Sequence, residues 1–210
     1  MYEFHKVKYK SILNIPSLHI PQQESVCILG KSGSGKSTLL KLLNKMISPA
    51  EGDILYHGQS LSQYPSVALR RKVVMLGQQP ILFGQSIRDN LLAGLAFSDR
   101  TMPDDSYLLT ILEQVSLNIH LEKNAYLLSG GEQQRLSLAR ILLMDPDVFL
   151  LDEPSSALDN ATETALIGMM TAYTKQHQRS LIMVTHSQKL AEQFSTHVIH
   201  MVDGTISSSH

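Results

Sequence analysis

Nine consecutive residues, Gly30-Lys31-Ser32-Gly33-Ser34-Gly35-Lys36-Ser37-Thr38, carry the strongest chemical signal in the chain. Glycines at 30, 33 and 35 let the backbone take turns that a Cβ would forbid. Successive N–H groups then converge on phosphate oxygens at the positive end of a helix. From that position Lys36 reaches the outer phosphates and the Ser37 hydroxyl suits a magnesium ion. The loop follows Val26-Cys27-Ile28-Leu29, an apolar run of strand type. It precedes Leu39-Leu40-Lys41-Leu42-Leu43, and the pattern predicts a helix over 36–47 stopped before Pro49. A Gly/Ser-rich turn that binds nothing is the competing reading, and the strand–loop–helix setting argues against it.

Two further stretches have chemistry of the same kind. The apolar run Val148-Phe149-Leu150-Leu151 ends in Asp152-Glu153-Pro154. A carboxylate at the end of a buried strand is costly unless it meets a cation, which a magnesium ion held with a nucleotide would supply. Asp152 then suits the metal shell, and Glu153 suits polarising an attacking water. The alternative is a pair of acids that merely begins a loop. Ser129-Gly130-Gly131 opens a predicted helix over Glu132 to Met144 and offers a second bundle of free backbone N–H groups. It reads equally as a plain cap with Ser129 as N-cap. One nucleotide cannot easily satisfy two phosphate cradles in one small domain, so two make sense if a second molecule brings one to the other.

The elements that must position these groups follow from hydrophobic periodicity. Short runs broken at Pro16 and Pro21 read as strands up to Leu29, and Gly52 to Gly58 as a strand ending in a turn. Val67 to Lys72 reads as a basic helix with Arg70, Arg71 and Lys72 on a solvated face, and Val73 to Leu76 as a buried strand. Ser86 caps a helix over Ile87 to Leu95, and a second spans Asp105 to Val115. A helix over 160–177, a strand over 180–185 and a hairpin turning at Asp203-Gly204 complete the chain. Strands alternating with helices predict an α/β fold with a mainly parallel sheet, and the phosphate-type motifs fall at the carboxyl ends of its strands.

With 210 residues the chain makes one domain, or one core with a small insertion. Lys plus Arg is 18 against 19 for Asp plus Glu, a net charge of −1, which gives no electrostatic reason to expect nucleic acid as a partner. Cys27 reads as a small core residue, and the nine histidines are scattered without ligand spacing. The N-terminus has no secretory h-region and the apolar runs are too short to cross a bilayer, so any membrane span is expected on another chain.

Together these residues resemble a known family. Gly30 to Thr38 resembles Walker A, Leu128 to Arg135 resembles the ABC signature, and Val148 to Pro154 resembles Walker B with Glu153 as its catalytic glutamate. Ser156-Ala157-Leu158-Asp159 resembles the D-loop, His186 the switch histidine, and Gln78, ahead of Pro80-Ile81-Leu82-Phe83, the Q-loop glutamine. Six motifs in family order cover nearly the whole chain, which is identified as a member of the ABC ATPases.

The resemblance implies a P-loop NTPase core over 1–85 and 136–210, with an N-terminal antiparallel β subdomain, and a helical subdomain over 86–135 that carries the signature. It implies ATP and Mg²⁺ as ligands, with Ser37, Gln78 and Asp152 around the metal. It also implies a head-to-tail dimer in which Ser129, Gly130, Gly131 and Glu132 act in trans on the γ-phosphate and Asp159 crosses the interface. His186 would touch that phosphate, and Gln78 would report its presence to the helical subdomain, although an ordinary polar loop residue is an alternative for Gln78. Tyr9 is the nearest candidate for the aromatic residue that stacks on adenine, yet it sits early for that position and also reads as a strand residue.

The expected function is the ATP-hydrolysing subunit of an ABC transporter. A separately encoded integral membrane permease and a second ATPase subunit, most simply an identical one, would be its partners, at the inner face of the cell membrane. Phe83 to Leu92 resembles exporter-type members, and the chain's brevity resembles small ATPases of metal, including iron, efflux systems. The alternative is a soluble ABC ATPase of scaffold or cofactor-assembly type. A phosphotransferase using the same loop would leave the signature unexplained.

Overall fold

A computed structural model of the chain describes residues 1–98, 100–154 and 158–209. Among the described residues there are ten strands and seven α-helices. They are β1 (Tyr2–Tyr9), β2 (Leu13–Ile20), β3 (Ser25–Gly30), α1 (Lys36–Leu43), β4 (Glu51–Tyr56), β5 (Gln59–Ser60), α2 (Ser66–Lys72) and β6 (Val73–Leu76). Next come α3 (Ile87–Ala96), α4 (Asp105–Gln114), α5 (Gly130–Met144) and β7 (Val148–Asp152). The chain finishes with α6 (Asn160–Gln176), β8 (Ser180–Val184), α7 (Gln188–Phe194), β9 (His197–Val202) and β10 (Thr205–Ser209).

Period-two alternation divides the core. A six-stranded sheet in the order β10-β9-β3-β8-β7-β6 is parallel except for its β10–β9 edge pair. Along its central strands, Val26, Ile28, Val148, Leu150, Ile182 and Val184 face one apolar cluster, shared with α1 and the strands of the second sheet. Cys27, Leu29, Phe149, Leu151, Leu181 and Met183 face the other, shared with α3 to α7. A strand buried on both faces has no polar side, which is why these runs read as continuously apolar. The second sheet, β2-β1-β4-β5, is antiparallel. α3 and α4 pack on α5. No helix among the described residues is long and apolar enough to cross a membrane.

Three local expectations shift. The helix after the loop stops at Leu43 rather than at 47, because Asn44 caps it and Lys45 turns left-handed at φ 56°. In that position Lys45 Nζ donates to the carbonyls of Ser62 and Tyr64. α5 begins at Gly130 rather than Glu132, since Ser129 and Glu132 form a reciprocal capping box. On α2, Arg70 and Lys72 are exposed, but Arg71 is half-buried and reaches the Phe97 carbonyl at 3.1 Å.

Gly204 joins both sheets to the loop at 30–38. Its N–H donates to the Ser34 carbonyl at 3.2 Å and its own carbonyl accepts from the Asn14 amide at 2.9 Å. It sits at φ +76°, and a Cβ there would lie 2.1 Å from the Ile12 carbonyl oxygen. Gly204→Ala is therefore expected to cost about 2 kcal/mol or more and to lower Tm by about 5 °C or more in a thermal melt. An unchanged Tm would show that the hairpin contact is dispensable.

Candidate functional site

The loop between β3 and α1 wraps around a buried cation. Gly35 is the N-cap of α1 at φ 98°, where a Cβ would meet Leu13 Cδ2 at 2.6 Å. No side chain caps α1, and no acidic residue occupies its first turn to offset its positive end. Lys31, Ser32 and Gly33 are exposed, Ser34 is buried, and Thr38 is half-buried in the first turn of α1. Lys36 is 5% exposed. Its Nζ donates to the Gly30 carbonyl at 2.8 Å and to the Lys31 carbonyl at 2.9 Å, so two of its three donors hold the loop closed. Burial depresses its pKa, opposed by the nearby charges of Glu153 and Asp152.

Across from it, β7 ends in Asp152, 7% exposed, whose Oδ1 accepts a hydrogen bond from Ser37 Oγ at 2.9 Å. Burial raises the Asp152 pKa; the Ser37 hydrogen bond opposes the rise and the adjacent Glu153 charge adds to it. The site thus holds a desolvated ammonium short of an anion and a desolvated carboxylate short of a cation. A nucleotide polyphosphate with a divalent metal supplies both. The oxygen donors of Asp152 and Ser37 fit a magnesium ion, which takes one or two protein ligands and completes its shell with phosphate and water.

Glu153 follows in a left-handed conformation at φ 49°, with its N–H on the Val184 carbonyl at 3.1 Å. A non-glycine residue held there costs about 1 kcal/mol or more. The turn places its carboxylate between two elements: Gln78 Nε2 donates to Oε2 at 2.9 Å, and His186 Nε2 lies 2.6 Å from Oε1. The structure therefore gathers Lys36, Ser37, Gln78, Asp152, Glu153 and His186 from the carboxyl ends of β3, β6, β7 and β8 into one constellation.

Other expected residues lie elsewhere. Glu132 Oε2 accepts from the Ser129 amide at 2.8 Å and from the Ser129 hydroxyl at 2.8 Å. Among the described residues no hydrogen bond joins this stretch to the loop at 30–38. Asp159 is exposed and caps α6, accepting from the amides of Ala161 and Thr162 and from the Thr162 hydroxyl. Ser156 and Ala157 lie outside the described residues. Tyr9 ends β1 half-buried against the apolar cluster, with Lys10 Nζ 5.4 Å from its ring centroid. Sequence reading did not single out Asn90 and Arg140, two buried polar residues on the apolar faces of α3 and α5. Their spacing of three from Ile87 and four from Leu136 is the signal that could have marked them.

Because the folded Asp152 titrates above its unfolded value, its ionised form weakens the unliganded fold. That penalty is absent below the unfolded carboxylate pKa and complete once pH has risen past the folded one. Asp152→Asn keeps the acceptor for Ser37 and is expected to raise the Tm of nucleotide-free protein at pH 8, with the gain shrinking as pH falls toward the unfolded aspartate pKa of about 4. A variant less stable than the parent at pH 8 would contradict this electrostatic account.

Comparison with known proteins places the chain in a family. Residues 13–156 match the family model described as ABC transporter. The probable iron export ATP-binding protein FetA of Escherichia coli strain K12 is 38% identical over 178 residues, covering 84% of this chain and 79% of that protein. The phosphate import ATP-binding protein PstB 2 of Lactobacillus acidophilus is 35% identical over 205 residues, covering 90% of this chain and 80% of that protein. Among solved structures, the ATP-binding cassette MJ0796, a dimer in a post-hydrolysis state with ADP and Pi bound, superposes with a TM-score of 0.86 at 27% identity. That match covers all of this chain and 98% of the solved one. The α/β architecture is therefore the P-loop NTPase fold of these cassettes, and the chain belongs to the ABC transporter family as an ATP-binding and ATP-hydrolysing cassette.

Proposed function

We propose that this chain is the ATPase subunit of a transporter whose membrane span lies on a separate permease, and that it works as a two-fold dimer with ATP sandwiched between subunits. The observation that carries the reading is the buried pair of charges at Lys36 and Asp152, set beside a second cradle at Ser129 that no hydrogen bond among the described residues ties to the loop at 30–38.

In this reading the amides of residues 30 to 38 and Lys36 would hold the phosphates, and Ser37, Asp152 and Gln78 would hold Mg²⁺. When bound, the metal would act as a Lewis acid and offset negative charge on the phosphates. Glu153 takes a proton from the attacking water as its oxygen bonds to the γ-phosphorus. The bond from that phosphorus to the bridging oxygen breaks, and ADP and phosphate leave. Gln78 and His186 fix the Glu153 carboxylate for this step, and His186 also contacts the γ-phosphate. Tyr9 is the nearest aromatic residue for the adenine ring.

Ser129, Gly130 and Gly131 serve the nucleotide of the other subunit, with Glu132 fixing the Ser129 hydroxyl and Asp159 approaching the interface. A Cβ on Gly130 would meet nothing within 4 Å, so this chain's own packing does not require glycine there. An incoming phosphate held by backbone amides would. A two-fold axis forms both composite sites at once.

The helical subdomain, taken as 86–135, faces the permease. A cavity of about 220 Å³ lined by Gly77, Ile81, Phe83, Phe97, Arg140 and Met144 opens beside β6, with Ile81 64% and Phe97 67% exposed. Its apolar rim fits a short helix laid in the groove by the membrane partner. Export is favoured by the segment from Phe83 to Leu92 and by the likeness to an iron export ATPase, against the likeness to a phosphate importer.

Glu153→Gln is expected to slow hydrolysis by about 100-fold or more while keeping ATP affinity, and to convert monomer to dimer on ATP addition in size-exclusion chromatography. Hydrolysis at the parent rate would remove Glu153 from its role. The same ATP-loaded variant, used to capture partners from detergent-solubilised membranes, is expected to retain a multi-span protein. Soluble partners alone would favour a scaffold ATPase.

A further inference from the structure

Arg140 is 7% exposed and lies in the middle of α5, where packing alone would favour an apolar side chain. Among the described residues no carboxylate pairs with it, and burial pushes its pKa down to about 10. Its bonds all run to neutral groups of one neighbourhood. Nε donates to the Asn90 carbonyl at 2.6 Å, Nη1 to the Ile81 carbonyl at 3.0 Å and Nη2 to Asn90 Oδ1 at 3.1 Å. The guanidinium carbon also sits 4.6 Å from the centroid of the Phe83 ring.

Asn90, fully buried, completes the clamp. Its Oδ1 also accepts from the Phe83 amide at 2.7 Å, and its Nδ2 donates to the Ser86 carbonyl at 2.8 Å. The segment that leaves Gln78 is thus fastened at Ile81 and Phe83 to α3 and α5 together. Gln78 touches Glu153 at one end of this segment. At the other end, α5 runs as an unbroken helix from Arg140 back to Gly130, about 15 Å at 1.5 Å per residue.

We propose that Arg140 is a positioning residue that locks the orientation of α5, and hence of Ser129 to Gly131 at its N-terminus, to the position of Gln78. This deepens the proposed function and rests on Gln78 having a role in hydrolysis. A buried cation satisfied by two backbone carbonyls and a side-chain amide oxygen holds no preferred ion pair. Its planar fork instead spans three acceptors at fixed directions, which a flexible ammonium or an apolar chain of equal length cannot do. When Gln78 shifts with nucleotide, Ile81 and Phe83 shift with it, and the fork carries that shift to α5. The desolvated charge is retained for this alignment and not for stability.

The test is a cycle on the full chain, measuring kcat, KM for ATP and Tm for Arg140→Met, Gln78→Ala and the double variant. Arg140→Met is expected to lower kcat by about tenfold or more, with KM and nucleotide affinity changed by less than about twofold. The double variant is expected to be no slower than the slower single variant, since both break one linkage. Arg140→Lys, which keeps the charge and the stem and is the reserve should Arg140→Met not fold, is expected to show the same loss of kcat.

Losses that multiply in the double variant would overturn the proposal, as would a parental rate in Arg140→Lys. A fall in Tm with KM rising in step would reduce Arg140 to a packing role and also overturn it. Gln78→Ala hydrolysing at the parent rate would instead remove Gln78 from the proposed mechanism, and the linkage with it.

Discussion

Lys36 carries a positive charge in a space that is almost closed to water, and its hydrogen bonds run to the carbonyls of its own loop. Such a charge is tolerable because the loop supplies two acceptors, because Glu153 and Asp152 stand near, and because a third donor remains for an anion. Much of the structure reads as support for that arrangement. The loop must stay curled for its carbonyls to meet Nζ, so Gly35 turns left-handed where a Cβ would strike Leu13, and Gly204 holds the Ser34 carbonyl from the side. Burying Asp152 at the end of β7 brings the opposite charge into the same desolvated space without an ion-pair contact to Lys36. The site is balanced for a ligand that carries both signs.

The two-faced parallel sheet makes this balance possible. Its strands end together, so residues far apart in sequence project from one edge: Gly30 from β3, Asp152 from β7 and Thr185 beyond β8. Side chains that follow those ends need only short turns to meet. Glu153 uses a left-handed residue for its turn and so faces Gln78 and His186, while Asp152, still in the strand, faces Ser37. Neighbouring carboxylates thereby acquire different partners and different work.

Much of this was legible from residue types alone. The phosphate loop, the acids after β7 and the alternation of strand and helix are all local patterns, and local patterns survive folding when burial on both faces demands them. The caps at Ser86 and Ser129 were equally readable, because a capping box is written in four residues. What could not be read depends on distant contacts. Helix α1 ends where Asn44 caps it and Lys45 turns left-handed, with Lys45 Nζ on the carbonyls of Ser62 and Tyr64, which no window around residue 45 contains. The left-handed turn at Glu153 is fixed by Val184 on another strand, and the reach of Arg71 by Phe97. Arg140 and Asn90 each look like a polar interruption of an apolar face until the fold brings them together.

A nucleotide placed between two subunits would give work both to the loop around Lys36 and to the helix N-terminus at Ser129, the second candidate cradle of the proposed reading. The most direct measurement mixes two inactive chains, Lys36→Ala and Ser129→Ala, each damaged in one cradle. In a mixed dimer one composite site combines the intact loop of one chain with the intact Ser129 of the other. Hydrolysis is therefore expected to return on mixing, to about a quarter of the parent rate if partners exchange freely and the sites act independently. A mixture no more active than either chain alone, with mixed dimers shown to form, would mean that both cradles serve one nucleotide in one subunit and would contradict the account.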